Sequence, residues 1–304
     1  MSRFKLGIDV GGSKIEALVL DAAGEQVFRQ RVHTPAHDYN AILESIRALV
    51  EQADACAEEA LDPGVGTPGA ISPSTGLLRN SNTVCLNGRN LRKDLEQALQ
   101  RPVRMQNDAN CFVLSEAMDG AAVNDGMVFG VILGTGTGGG LVFNRQLITG
   151  PHAIAGEWGH NPMPWRQHFD TQRACYCGKE GCIETFLSGP GMAANTRALT
   201  GMNLNSREIV SRAAEGDEQM QQQMEHYFDQ LARALAHVIN IIDPDVIVLG
   251  GGMSNIESIY HEVPARLQQY VFSDFVETRL VPAQYGDSSG VRGAAWLWGE
   301  ENRY

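Results

Sequence analysis

The sequence predicts an α/β protein made of two halves of similar design, and three observations carry that reading. Strand and helix patterns alternate along the whole chain. A strand, a glycine turn and a second strand occur around Asp9–Gly12 and recur around Gly134–Gly138, each near the start of one half. A third glycine run, Gly250-Gly251-Gly252, follows an apolar strand. A chain of 304 residues has the length of about two ordinary domains.

Taken in order, Phe4-Lys5-Leu6-Gly7-Ile8 alternates as a strand, Asp9-Val10-Gly11-Gly12-Ser13 turns, and Ala17–Leu20 resumes as a strand. Ile42, Ile46, Leu49, Val50, Ala53 and Ala57 keep helical spacing, with Glu and Gln on the opposite face. Gly64 to Pro73 is punctuated by Gly and Pro, which predicts loop. Val103-Arg104-Met105 predicts a short strand and Ala109–Ala122 a helix. Met127–Leu133 and Leu141-Val142-Phe143 predict strands on either side of the glycine run. Pro151–Ser188 lacks periodicity. Helical pattern returns at Ser206, is strongest over Leu231–Ile242, and stops at Asp243-Pro244-Asp245. Val246–Leu249 then predicts a buried strand and Gly290–Trp298 a closing helix.

Composition excludes several classes. Hydrophobic residues make up 43% and charged residues 20%, enough apolar material for a full core. A formal net charge of −12 argues against a nucleic-acid binder, which needs clustered positive charge. The uncharged stretch Met127–Phe143 holds Gly134, Gly136, Gly138, Gly139 and Gly140, so it predicts a turn between strands and no membrane span. Met1-Ser2-Arg3-Phe4-Lys5-Leu6 has no apolar signal region, which places the chain in the cytoplasm with its cysteines reduced. Cys56, Cys85 and Cys111 stand apart and read as small apolar residues.

Glycine at a hairpin tip lets backbone N–H groups converge on a phosphate with no side chain in the way. Two such turns and the Gly250-Gly251-Gly252 run point to a nucleotide, with Asp9 positioned to hold hydrated Mg²⁺. Other nucleotide motifs fail. The chain has no G-x-x-x-x-G-K-[ST]. Gly134, Gly136 and Gly139 spell G-x-G-x-x-G, but Gly140-Leu141-Val142-Phe143 opens a strand where a dinucleotide fingerprint opens a helix. Gly64, Gly66 and Gly69 match the same pattern with Pro68 inside it.

Cys175, Cys177 and Cys182 supply three thiolates from one loop, and His160 precedes them. Three Cys and one His make a closed tetrahedral set for structural Zn²⁺, although His152 and His168 are also near in sequence. Asp108, in Asn107-Asp108-Ala109-Asn110, reads either as a helix N-cap or as a general base that takes a proton from a hydroxyl, with Asn107 bonding a neighbouring hydroxyl. Glu157 and His160 share a face if Gly156–His160 forms a helical turn. Glu184, two residues after Cys182, would join them on a rigid polar patch suited to a polyhydroxylated ligand.

These segments, in this order, resemble the ROK sugar kinases: Asp9–Lys14, Asn107–Asn110, Gly134–Gly140, Glu157–His160, Cys175–Glu184 and Val248–Gly252. Gly159–Trp165 and Gly286–Trp298 resemble the fructokinase (manno(fructo)kinase) branch; N-acetylglucosamine kinases and glucokinases of the family are similar enough to compete. Ser13 departs from the family's usual Thr but keeps the hydroxyl. The resemblance implies a duplicated actin/hexokinase-like (ribonuclease H-like) two-domain fold with an interdomain cleft. A smaller domain would comprise residues 1–118 and 289–304, and a larger one residues 119–288. It implies ATP-dependent phosphorylation of a sugar 6-hydroxyl, fructose first and mannose after it, with Asp108 as base and domain closure excluding water. Gly69, Asn82, Asn107, Asp108, Glu157, His160 and Glu184 would contact the sugar, and His160, Cys175, Cys177 and Cys182 would hold Zn²⁺. ATP and Mg²⁺ would lie along Gly7, Ile8, Asp9, Val10, Gly11, Gly12, Ser13 and Lys14. Gly134, Thr135, Gly136, Thr137, Gly138, Gly139, Gly140, Leu141, Val142 and Phe143 would line the nucleotide with Gly250, Gly251 and Gly252. A homodimer is also implied. Sugar-sensing repressors of the same family are expected to need a DNA-binding segment ahead of the first glycine turn, where only eight residues stand before Asp9. An ATPase of the same class would leave the zinc and carboxylate patch unexplained.

Overall fold

Lys5–Val10 forms strand β1 and turns through Gly11-Gly12 into β2 (Lys14–Leu20), paired antiparallel from Lys5 opposite Leu20 to Val10 opposite Ile15. The structure is a computed structural model that describes residues 3–299, so the outer ends of the expected first domain, residues 1–2 and 300–304, lie outside the described residues. Strand β3 (Gln26–His33) follows on the outside of β2, and helix α1 (Tyr39–Ala57) buries Ile42, Ile46, Leu49, Val50 and Ala53, the apolar stripe its spacing predicts. Then come β4 (Pro63–Thr67), the small hairpin β5 (Ala70–Ile71) and β6 (Leu78–Arg79), α2 (Leu91–Leu99), β7 (Arg104–Asn107) and α3 (Asp108–Met118). The chain continues through β8 (Met127–Leu133), β9 (Thr137–Phe143) and β10 (Gln146–Ile148). Helices α4 (Glu184–Leu187), α5 (Gly189–Thr200), α6 (Ser206–Ala214) and α7 (Glu218–Ile242) precede β11 (Val246–Gly250). Short α8 (Ile259–Glu262) and α9 (Pro264–Leu267), β12 (Arg279–Pro282) and α10 (Ser289–Trp296) complete it.

The duplication is explicit in the sheets. One has the order β3-β2-β1-β4-β7 and the other β10-β9-β8-β11-β12. In the first, β1, β4 and β7 run parallel beside an antiparallel meander; in the second, β8, β11 and β12 run parallel in the same places. By contacts the chain forms two units. One holds the chain up to Asn124, Gly140–Ala155 and the chain from Gln284, and the other holds Asp125–Gly139 and Gly156–Ala283. The expected partition at 118 and 289 differs chiefly in assigning residues 140–155 to the second half.

Two expectations are corrected. Gly64–Pro73 was expected as loop, yet Pro63–Thr67 is a fully buried strand. Its glycines answer to packing: a Cβ on Gly64 would lie 1.8 Å from the Ala294 carbonyl oxygen of α10, and one on Gly66 3.2 Å from Cys111 Sγ of α3. Gly7 on β1 meets the Val291 carbonyl oxygen of α10 in the same way, at 2.1 Å. Likewise the second glycine run is turn only as far as Gly136; β9 begins at Thr137 and carries Gly138, Gly139 and Gly140 as strand residues. A Cβ on Gly139 would meet the Gly156 carbonyl oxygen at 2.7 Å, and one on Gly140 a methyl of Val113 at the same distance. Strand β3 and helix α2 are not among the predicted elements; α2 nevertheless keeps helical spacing through Leu91, Leu95 and Leu99, while β3 is largely exposed on both faces.

The second unit is centred on α7, whose apolar face is buried along most of its length. Arg233 is fully buried there and pairs with Asp170 at 2.9 Å, while also donating to the Pro164 carbonyl oxygen. That pairing ties the irregular loop after His160 to the helix, so a segment without periodicity still has one position. Among the described residues, no helix is long and apolar enough to cross a membrane.

Candidate active site

In the first unit the predicted residues gather at the carboxyl ends of the parallel strands, where α/β sheets bind ligands. Asp9 stands near the end of β1, Gly69 follows β4, and Asn107 ends β7 with Asp108 directly after it. Asn107, and not Asp108, caps α3: its Oδ1 accepts from the Asn110 N–H at 2.7 Å. The amide nitrogen is what Asn107 has left to offer a hydroxyl. Asp108 is therefore released from capping. Its carboxylate is exposed at the first turn of α3, where the helix dipole favours the anion, and one oxygen accepts from the Ala109 N–H at 2.9 Å.

Asp9 is close enough to Asp108 and Glu16 for their charges to act on it. Burial first, and then those two carboxylates, push its pKa up to about 7 against the pull of Lys14. Such an acid is held half-protonated near neutral pH, and a cation would favour its ionised form. Lys14 pairs with buried Glu16 at 3.3 Å, and Arg29 and Arg31 reach the same carboxylate at 2.6 and 2.8 Å. The tip of the β1–β2 turn is held by Thr34, which donates to the Gly11 and Ser13 carbonyl oxygens.

Gly69 has φ +83°, and a Cβ there would lie 2.3 Å from the Arg79 carbonyl oxygen, so only glycine fits. Gly69 and Asn107 line one hollow of about 80 Å³, together with Thr67, Ile71, Met105 and Asn110. Asn110 Oδ1 is buried there without a partner among the described residues. Asn82 lies beside the turn at Gly12, with its Oδ1 3.8 Å from where a Cβ on that glycine would stand.

In the second unit, Gly156–His160 does form a helical turn, a 3₁₀ turn over Trp158–His160 with Glu157 at its start. Two contacts tie it and α4 to β9. Trp158 Nε1 donates to the Gly138 carbonyl oxygen at 3.0 Å, and Glu184 Oε2 accepts from the Thr137 N–H at 2.9 Å. A Cβ on Gly136 would collide with that carboxylate, at 2.8 Å. The glycine residues of this turn thus serve Glu184 as well as any phosphate. Farther along, Gly134 accepts from the Gly189 N–H at the start of α5, and Gly251 lies against the Leu133 backbone. These contacts bring Gly134 and the Gly250–Gly252 run into one corner.

His160, Cys175, Cys177 and Cys182 come together as expected, and one ligand atom from each lies within 4.8 Å of the others. Cys177 Sγ and Cys182 Sγ are 3.6 Å apart, and Cys175 Sγ is 3.5 Å from His160 Nδ1. A tetrahedron around Zn²⁺ with Zn–S of ~2.3 Å has edges of about 3.8 Å, so the donor set fits that ion. Burial pushes the Cys182 thiol up to about 12 and raises Cys175 as well; a dication is what turns such thiols into thiolates. His152 and His168 are not members of this cluster.

Tyr176, between two of the cysteines, was not anticipated. Its hydroxyl lies 2.9 Å from His160 Nε2, and the rings meet edge to face at 5.0 Å. Its pKa is pushed up to about 12, by partial desolvation first and then by Glu184, Cys175 and Glu157, so the phenol stays protonated beside the carboxylates.

A family model described as ROK family matches residues 5–301. An N-acetyl-D-glucosamine kinase of Salmonella newport is 40% identical over 296 residues, covering 96% of this chain and 98% of that protein. A ROK hexokinase from Thermus thermophilus superposes with a TM-score of 0.86 at 28% identity, covering 96% of each chain. A ROK family glucokinase from Streptomyces griseus, solved with glucose and AMPPNP, superposes with a TM-score of 0.74 at 25% identity, covering 97% of this chain and 98% of that one.

Proposed function

The chain belongs to the ROK family of sugar kinases, and on that premise we propose that it transfers the γ-phosphoryl group of ATP to the 6-hydroxyl of a hexose, with Asp108 as the base. The observation that carries the reading is that Asn107, and not Asp108, caps the helix, which leaves the Asp108 carboxylate beside Asp9 at the ends of the parallel strands. Asp108 takes the hydroxyl proton as the oxygen attacks, and Asn107 orients the neighbouring hydroxyl. Asp9 serves Mg²⁺, which a kinase needs to neutralise the phosphates. The glycine turns offer N–H groups to the phosphates. Glu157 and Glu184 accept from sugar hydroxyls, and His160 stands beside them with its outer nitrogen against Tyr176. Zn²⁺ on His160, Cys175, Cys177 and Cys182 supplies rigidity to that patch and no chemistry of its own.

N-acetyl-D-glucosamine leads among the sugars, because relatives of that name share 40% of residues over nearly the whole chain; this overtakes the fructose expected from the sequence. Fructose is the second reading, and one observation favours it: the Tyr176 phenol stands 2.9 Å from His160 Nε2, where a bulky sugar substituent would have to displace it. A homodimer at work in the cytoplasm accompanies the proposal.

The test is an ATP-coupled assay on N-acetylglucosamine, fructose, mannose, glucose and N-acetylmannosamine, compared by kcat/KM. Preference for N-acetylglucosamine supports the leading reading and preference for fructose the second. No turnover on any of them overturns the kinase assignment.

A further inference from the structure

Tyr176 has no structural reason to be where it is. Its side chain is 80% exposed, so it contributes little to a core, yet its hydroxyl meets the outer nitrogen of His160. The backbone on both sides is pinned: the Cys175 N–H donates to the Lys179 carbonyl oxygen at 2.8 Å, and the Gly178 N–H to the Cys175 carbonyl oxygen at 3.0 Å. Ala174 and Glu180 close the loop as a bridge. With zinc held at Nδ1 of His160, which lies 3.5 Å from Cys175 Sγ, the ring proton would belong on Nε2, facing the phenol oxygen. That leaves the phenol its own proton to give, with the two rings edge to face. A ligand hydroxyl that reaches the outer nitrogen of His160 must share it with, or displace, the Tyr176 hydroxyl 2.9 Å away.

We propose that Tyr176 is a specificity-determining residue of the sugar site, bonding a sugar hydroxyl in place of the imidazole it meets and limiting the size of the substituent admitted there. The proposal rests on the sugar-kinase reading and adds to it a residue from the cysteine loop that discriminates among hexoses. Its two consequences are separable, because the hydroxyl makes the bond and the ring sets the room.

The experiment uses the zinc-loaded full chain with Tyr176→Phe and Tyr176→Gly. It measures kcat, KM for sugar and for ATP, sugar affinity by titration calorimetry without ATP, and zinc release to a chromogenic chelator. Tyr176→Phe is expected to raise the KM of the preferred sugar about tenfold, with kcat within about threefold and the KM for ATP unchanged, the signature of a lost binding contact. Tyr176→Gly is expected to shift the kcat/KM ratio toward the acetamido sugars by about fivefold or more against plain hexoses, while zinc is retained. Wild-type kinetics toward every sugar in both variants would overturn the proposal and leave the kinase reading intact. Loss of zinc in Tyr176→Phe, with kcat falling along with affinity, would also overturn it, by making the residue a support of the metal site. Sugar affinity that shifts as expected in a protein that phosphorylates none of the sugars would uphold Tyr176 and remove the kinase reading.

Discussion

Asp108 and Asp9 stand in different surroundings. Asp108 is exposed at a helix start, whose dipole favours an anion there. Asp108→Asn is expected to lower kcat by ~10²–10⁴ with sugar affinity largely kept, measured by turnover and titration calorimetry; near-normal turnover removes the base. Asp9 has the opposite setting, held up to about 7 by burial and by its acidic neighbours. Between its ordinary value of 3.8 and about 7 the folded chain keeps a proton that the unfolded chain has lost. The stability this group contributes is complete below the lower value and lost as pH rises through the upper one. Metal-free protein should therefore lose Tm between about pH 4 and 7 more steeply than Asp9→Asn does, as scanning calorimetry across that range reads directly. Identical slopes would mean that Asp9 is not the strained acid.

At the scale of elements, close approach decides which glycines matter. Gly64 has the α10 backbone against it, with a carbonyl oxygen 1.8 Å from where a Cβ would stand. Gly64→Ala is expected to destabilise by about 1–3 kcal/mol or more, seen as a lower urea midpoint with an unchanged slope, because neither backbone can give way freely. The cysteine loop is the second element whose role is testable. Cys177→Ser is expected to abolish zinc binding and to raise the sugar KM, since Tyr176, His160 and Glu184 all hang from that loop or beside it. Metal analysis with steady-state kinetics checks both, and a metal-free variant of wild-type affinity contradicts the link.

Across the whole molecule, the shared sheet order makes two halves of one design serve different ends. The first carries Asp9 and Asp108, and the second the Cys–His cluster that could hold a metal and the carboxylates beside it. If both serve one reaction, ATP hydrolysis without sugar should run at no more than a few per cent of the sugar-dependent rate, because water lacks the contacts that place a sugar hydroxyl. Brisk sugar-independent hydrolysis would favour an ATPase on the same scaffold.

Much of this was legible along the chain. Alternating strand and helix signals, the recurrent glycine turn and the Cys–His spacing are local patterns, and each appears where its residues predict, from Met127–Leu133 as β8 to the four-residue metal cluster. What the chain could not disclose depends on what lies opposite in space. Pro63–Thr67 carries loop residues and is a buried strand, because α10, more than two hundred residues later, occupies the room side chains would need. On paper Asp108 reads as a cap as readily as a base, and the register at which α3 leaves β7 gives the cap to Asn107 instead. Tyr176 carries no motif signal at all; only the folded loop brings its hydroxyl to His160. Local spacing determined the fold class and the metal ligands, since neighbours in sequence are neighbours in space there. Tertiary structure decided which glycines pack, which residue caps α3 and which phenol meets His160, since those depend on how the elements meet in space.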